Sequence, residues 1–154
     1  MKRLLINCLG NICRSPMGQG ALQQWIGREN AQHRYVVESA GVSGWHQGEP
    51  PDQRAIACAK RHGVDIAQQR ARQVTRADFN DYHWLLCADA TNLDALQRLA
   101  PAGLAHKAVL WLPWAGVGPP IEIPDPYTGS EQTFEEVWQR IDVAAGATMR
   151  RLLA

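Results

Sequence analysis

The chain has no marked excess of charge, few cysteines and no long apolar run, and each shortage excludes a class of protein. Its 154 residues carry 16 basic and 15 acidic side chains, a formal net charge of +1. That balance creates no global field for nucleic acid or an anionic membrane, so any preference for anions has to be local. No apolar stretch approaches the roughly 20 residues that cross a bilayer, and no charged-then-apolar leader opens the sequence. The expectation is a cytoplasmic protein without membrane insertion. Cys8, Cys13, Cys58 and Cys87 are too few for a disulfide scaffold and lack paired ligand spacing. His33, His46, His62, His83 and His106 are scattered, with no HExxH pattern. Neither a metal nor a cofactor is expected.

What remains is a chain of 17.1 kDa with 45% hydrophobic residues, enough for one domain spanning residues 1–154 with its own core. Apolar runs predict strands at residues 3–7, 35–37, 83–87 and 108–112, with Ser39-Ala40-Gly41 closing the second. Helices are expected from about Pro16 to Arg28, from Asp52 to His62 before Gly63, and along the stripe Leu93, Leu96, Leu99. Thr75 with Asp78 caps a short turn. A capping box from Thr133 to Glu136 opens a last helix, with Phe134, Val137, Trp138, Ile141, Ala145 and Leu152 on one face. Strands alternating with helices imply an α/β fold: a four-stranded parallel sheet with helices on both faces and right-handed crossovers. Ligands of such folds bind beyond the carboxyl ends of the strands. Gly18 and Gly20 weaken the first helix by about 1 kcal/mol each relative to alanine, either for a close backbone approach or for no reason the sequence names.

The loop after the first strand, Cys8-Leu9-Gly10-Asn11-Ile12-Cys13-Arg14-Ser15-Pro16, opens on that edge of the sheet. A loop of this length can turn successive N–H groups toward one centre, and the helix N-terminus adds its positive end. These donors and Arg14 favour a thiolate at Cys8, which makes it the candidate nucleophile. Arg14 offers a planar fork for two phosphoryl oxygens. The spacing of a cysteine and an arginine alone is a weak pattern, whose plain alternative makes both cysteines small buried hydrophobes and Arg14 a surface charge. The strand before the loop, Gly10 and Asn11 within it and Pro16 after it strengthen the phosphate reading. Expelling an alcohol or phenol then calls for an acid, worth about 10²–10⁴-fold in rate. Asp125, between Pro124 and Pro126 and beside Tyr127, is the candidate, raised toward its protonated form by the anionic site; by itself that segment also reads as a turn.

Together, Cys8 to Pro16, Ser39-Ala40-Gly41, Trp45, Arg72-Gln73 and Asp125-Pro126-Tyr127 resemble the low-molecular-weight protein tyrosine phosphatases, in the same order over essentially the whole chain. The resemblance implies a phosphatase acting on phosphotyrosine-containing proteins, a tyrosine kinase among the candidate partners, with inorganic phosphate as product. It implies attack by Cys8 on phosphorus, a phosphocysteine intermediate, oxygen binding by Arg14 and the loop amides, and proton transfer by Asp125. It also implies that Ser15 hydrogen-bonds the departing thiolate and that Asn11, with Ser39, holds the loop. Gly10 and Cys13 complete the cradle, and Leu9, Ile12, Trp45 and Tyr127 form an apolar slot deep enough for a phenyl ring. Trp45 reads equally as a loop aromatic covering core. Similar enzymes preferring phosphoarginine carry threonine at the position of Ile12, which favours phosphotyrosine here.

Three departures from the vertebrate pattern stand out: Thr128 where a second tyrosine is common, Gln69 where a histidine supports the loop, and Gly18 with Gly20 in the helix. Thiol-dependent arsenate reductases resemble the same fold and keep a second thiol near the place of Cys87. Asp94 stands where their third thiol would be. A non-catalytic phosphopeptide module would lack the thiol or the acid, and both are present. Cys13 is near enough in the loop for a reversible disulfide with Cys8, or is simply a buried thiol.

Overall fold

The computed structural model describes residues 1–154. Four parallel strands, β1 (Lys2–Cys8), β2 (Tyr35–Gly41), β3 (Trp84–Cys87) and β4 (Ala108–Leu110), lie in the order β2-β1-β3-β4. The expected sheet is therefore present. Six helices flank it: α1 (Arg14–Arg28), α2 (Gln53–Arg61), α3 (Asp78–Asp81), α4 (Ala90–Leu99), α5 (Trp111–Trp114) and α6 (Glu131–Leu153). No helix is long and apolar enough to cross a membrane.

Alternation along β1 divides the core in two. Leu4, Ile6 and Cys8 join the larger cluster under α1, α2 and α6, whereas Leu5 joins Phe79, Leu85, Cys87 and Leu96 on the other face. Because β1 is buried on both sides, its apolar run is continuous, as a central parallel strand requires. Its register aligns Asn7 with Cys87 on one side and Cys8 with Gly41 on the other.

Several boundaries differ from those read off the sequence. β2 continues through Ser39-Ala40-Gly41 instead of ending there, because all three keep their partners on β1. A Cβ at Gly41 would stand 3.0 Å from the backbone of Leu9, Gly10 and Asn11, so the end of this strand is the floor on which the nucleophile loop rests. β4 stops at Leu110; Trp111 and Leu112 belong to α5, where Trp111 is buried and its indole N–H donates to Thr148 on α6 at 2.9 Å. α6 begins one turn earlier than expected: Ser130 is the N-cap and Thr133 returns the bond, in place of a Thr133–Glu136 box. α1 starts at Arg14, two residues before Pro16, which places the arginine itself in the first helical turn.

The glycines of α1 have a packing cause. A Cβ at Gly20 would lie 2.6 Å from Ile66 and 2.7 Å from Val64, and one at Gly18 would lie 3.0 Å from Trp111 and 3.1 Å from Ile6. The helix gives up propensity for close approach to the core around it.

Candidate active site

The loop between β1 and α1 runs under a pocket of about 300 Å³. Cys8, Leu9, Gly10, Ile12, Cys13 and Arg14 line it from below, and Trp45, His46, Asp125 and Tyr127 from the rim. Nine residues singled out in the sequence thus share one cavity. Asn11 and Ser15 do not line it; they are buried behind the loop.

Asn11 sits in the left-handed region at φ 58°, a conformation asparagine tolerates better than most residues. The Arg72 backbone N–H donates to Asn11 Oδ1 at 3.0 Å, so the amide nitrogen faces the loop and donates to Ser15 Oγ at 2.7 Å and Ser39 Oγ at 2.9 Å. With its oxygen already accepting from Asn11, the Ser15 hydroxyl is free to direct its hydrogen at Cys8 Sγ, 2.9 Å away. The Ser15 backbone N–H donates to the same sulfur at 3.4 Å. Both donors stabilise negative charge on Sγ. The loop is further tied by the Val42 and Ser43 N–H groups to the Cys8 and Leu9 carbonyls, and by the Asp52 N–H to the Ile12 carbonyl at 2.8 Å.

Arg14 is buried, and its Nη1 donates to Asp89 Oδ2 at 2.6 Å and to the Ile123 carbonyl at 2.8 Å. Its Nη2 lies 3.7 Å from Asp125 Oδ2. Burial would lower its guanidinium, but the negative groups around it, Cys8, Asp89 and Asp125, outweigh burial and hold it above its ordinary value. The cation is permanent. Asp125, half exposed, accepts the Tyr127 backbone N–H at 3.1 Å. Its segment is fastened to α2 by Arg54, which donates to the Tyr127 carbonyl at 2.8 Å and the Gly129 carbonyl at 3.1 Å while pairing with Asp52, the N-cap of α2. One chain of contacts, from Ile12 through Asp52 and Arg54 to Tyr127, therefore joins the loop to the acid.

Trp45 is 75% exposed, which makes it a rim residue and not a cover for core. Burial pushes the Cys13 thiol well up, with Asp52 adding in the same direction. Gln69 donates to the Pro16 carbonyl at 3.1 Å, supporting the first turn of α1 and not the loop amides. Arg72 is not a solvated charge: it forms a two-pronged pair with Asp78 at 3.0 Å on each branch, and its backbone serves Asn11. Cys87 is buried on the sheet face opposite Cys8, with its thiol donating to the Leu85 carbonyl, so no thiol relay passes between them.

Two residues at or behind the site escaped the sequence reading: His46 lines the pocket, and Asp89 stands behind Arg14. Asp89 is the N-cap of α4, accepting from Asn92 N–H at 2.8 Å through one oxygen, while its second oxygen holds Arg14. His46, held by Glu49 at 2.6 Å, packs where a Gly10 side chain would stand, 3.0 Å from that position. The only available signal for it was its place beside Trp45.

The family model described as low molecular weight phosphotyrosine protein phosphatase matches residues 3–154. The low molecular weight phosphotyrosine protein phosphatase of Homo sapiens is 38% identical over 142 residues, covering 90% of this chain and 88% of that protein. A Drosophila melanogaster relative, low molecular weight phosphotyrosine protein phosphatase 2, is 35% identical over 143 residues, covering 92% and 86%. Among solved structures, the protein tyrosine phosphatase of Entamoeba histolytica with Hepes in its active site superposes with a TM-score of 0.94 at 27% identity, covering 99% of this chain and 97% of that one. Vibrio vulnificus Wzb in complex with benzylphosphonate gives 0.85 at 33% identity, covering 97% and 98%. The chain belongs to the low molecular weight phosphotyrosine protein phosphatase family.

Proposed function

We propose that this enzyme hydrolyses phosphotyrosine in proteins by a two-step displacement through Cys8. One observation carries the reading: a thiol hydrogen-bonded by Ser15, a buried guanidinium and an aspartate lie around a single pocket with an aromatic rim. The thiolate of Cys8 attacks phosphorus in line with the ester bond. The equatorial oxygens take the loop N–H groups and the free edge of Arg14. As the dianion draws on Arg14, Asp125 is released from the 3.7 Å contact to face the leaving oxygen. The P–O bond breaks, Asp125 in its acid form gives its proton to the phenolic oxygen, and phosphocysteine remains. Asp125 then takes a proton from water, the oxygen attacks phosphorus and the S–P bond breaks. Inorganic phosphate departs, and the Ser15 hydroxyl receives the returning thiolate.

Leu9, Ile12, Trp45 and Tyr127 suit a phenyl ring, and benzylphosphonate in the Vibrio vulnificus relative carries a phenyl ring one methylene away from its phosphonate. The substrates we infer are cytoplasmic phosphotyrosine proteins, a tyrosine kinase among them. Acid-quenched mass spectrometry should find a phosphate adduct on Cys8, and Cys8→Ser should abolish turnover. Asp125→Asn should slow phenyl phosphate more than p-nitrophenyl phosphate, because the better leaving group needs less protonation. Equal losses would remove Asp125 from the acid role.

A further inference from the structure

We propose that Cys58, His62 and Glu135 form a binding site for a borderline-soft divalent cation of the zinc class at the seam between α2 and α6. None of the three lines the phosphate pocket. Cys58 and His62 stand four residues apart at the end of α2, a spacing that stacks side chains on one helical face. Glu135 comes from the start of α6, 73 residues further along than His62. Their ligand atoms all lie within 4.8 Å of one another.

One of the two distances to Glu135 already fits a tetrahedral centre, and the other, to its second oxygen, falls short of it. Cys58 Sγ is 3.6 Å from a Glu135 oxygen, and His62 Nε2 is 2.8 Å from the other. Metal–ligand lengths of about 2.3 Å to sulfur and about 2.0 Å to nitrogen and oxygen place tetrahedral neighbours about 3.5 Å apart for S···O and about 3.3 Å for N···O. The sulfur and carboxylate are thus already spaced for a shared cation, and imidazole and carboxylate need to part by about half an ångström to admit it.

The surroundings hold the ligands in place. Cys58 is fully buried, with its thiol confined between the Phe134 carbonyl and Glu135, each at 3.6 Å. The His62 ring stacks on Trp138, centroids 5.0 Å apart and planes within 11°. Arg61 Nε donates to Glu135 Oε1 at 2.9 Å and orients the carboxylate from outside the ligand sphere. A His62–Glu135 pair alone would explain two of these groups; it gives the thiol no role. One sulfur, one imidazole and one carboxylate with a fourth position left for water suit zinc better than magnesium or calcium, which prefer oxygen. On binding, the thiol proton passes to solvent and the thiolate and carboxylate together balance the two positive charges.

The test uses the Cys8→Ser/Cys13→Ser protein, which removes the loop thiols as competing ligands. Titration with Co²⁺, a spectroscopic stand-in for Zn²⁺, should give one-to-one binding with a thiolate charge-transfer band in the near ultraviolet. Cys58→Ser should abolish that band. His62→Gln and Glu135→Gln should each weaken binding more than about tenfold, since even groups outside the ligand sphere cost about 10–100-fold. Zn²⁺ should displace Co²⁺ and raise Tm in the parent protein but not in Cys58→Ser. Circular dichroism identifies any variant that has lost its fold; the two glutamine variants, altered on the partly exposed side, carry the test if Cys58→Ser does not fold. Absence of a thiolate–cobalt band up to millimolar Co²⁺, or binding that survives all three substitutions, overturns the proposal.

Discussion

Replacing Asp89 separates its two duties. It caps α4 through one oxygen and holds Arg14 through the other. Serine caps a helix nearly as well as aspartate but is too short to reach Arg14, so Asp89→Ser removes the ion pair and keeps the cap. The Arg14 side chain is 3% exposed and that of Asp89 23%. Removing one partner of a fully buried pair costs about 3–5 kcal/mol. Here Asp89 is partly hydrated and Arg14 retains the Ile123 carbonyl, so the loss of one charge-assisted bond, about 2 kcal/mol, is the better figure. If that bond holds the guanidinium for the transition state, kcat falls about 30-fold. A carboxylate beside a dianion also repels substrate, so KM should hold steady or improve, and the loss should sit in kcat. Asp89→Asn keeps length, cap and a neutral contact, and should lose less than tenfold. Steady-state kinetics on p-nitrophenyl phosphate, with Tm and circular dichroism to show that α4 persists, decides the matter. An unchanged kcat in a folded Asp89→Ser protein would refute the assignment of Asp89 as a positioning residue for Arg14.

Alkylation by iodoacetamide at neutral pH should label Cys8 well before Cys13, whose thiol burial keeps protonated; peptide mapping showing equal labelling would contradict the environment described for Cys13. Gly20→Ala should destabilise the fold by about 1–3 kcal/mol through overpacking and lower Tm, because the new methyl meets Ile66 at 2.6 Å. By contrast, Gly27→Ala, whose Cβ meets only Gln32 at 3.9 Å, should stabilise the fold by up to about 1 kcal/mol through propensity and raise Tm. The hydrogen bond from Arg54 holds the Asp52 carboxyl below its usual range, so its contribution to stability is present above about pH 4 and disappears as pH falls through the folded value. Asp52→Asn should therefore destabilise at pH 7 and approach the unsubstituted protein at pH 3 in thermal melts.

Features that arise within a few neighbouring residues could be read from the order of amino acids. β1, the five-residue loop 9–13 and α1 are contiguous, so apolar run, Asn11, Arg14 and Pro16 were legible as a phosphate cradle from their order alone. Alternating strands and helices likewise implied the parallel sheet. Boundaries were less legible where neighbours outweigh propensity: Leu112 has the pattern of a strand, yet burial of Trp111 and its bond to Thr148 draw the segment into a helical turn. Only the tertiary structure decided what stands beside Arg14. Asp89 is 75 residues away and the Ile123 carbonyl 109, and nothing in their local sequences points to Arg14. The same holds for Gly20, whose need for a missing side chain is set by Val64 and Ile66, and for Glu135 beside Cys58 and His62. Local patterns record how a segment meets its own backbone and water; contacts between distant segments are fixed by how the helices settle on the sheet, which no short stretch of sequence encodes.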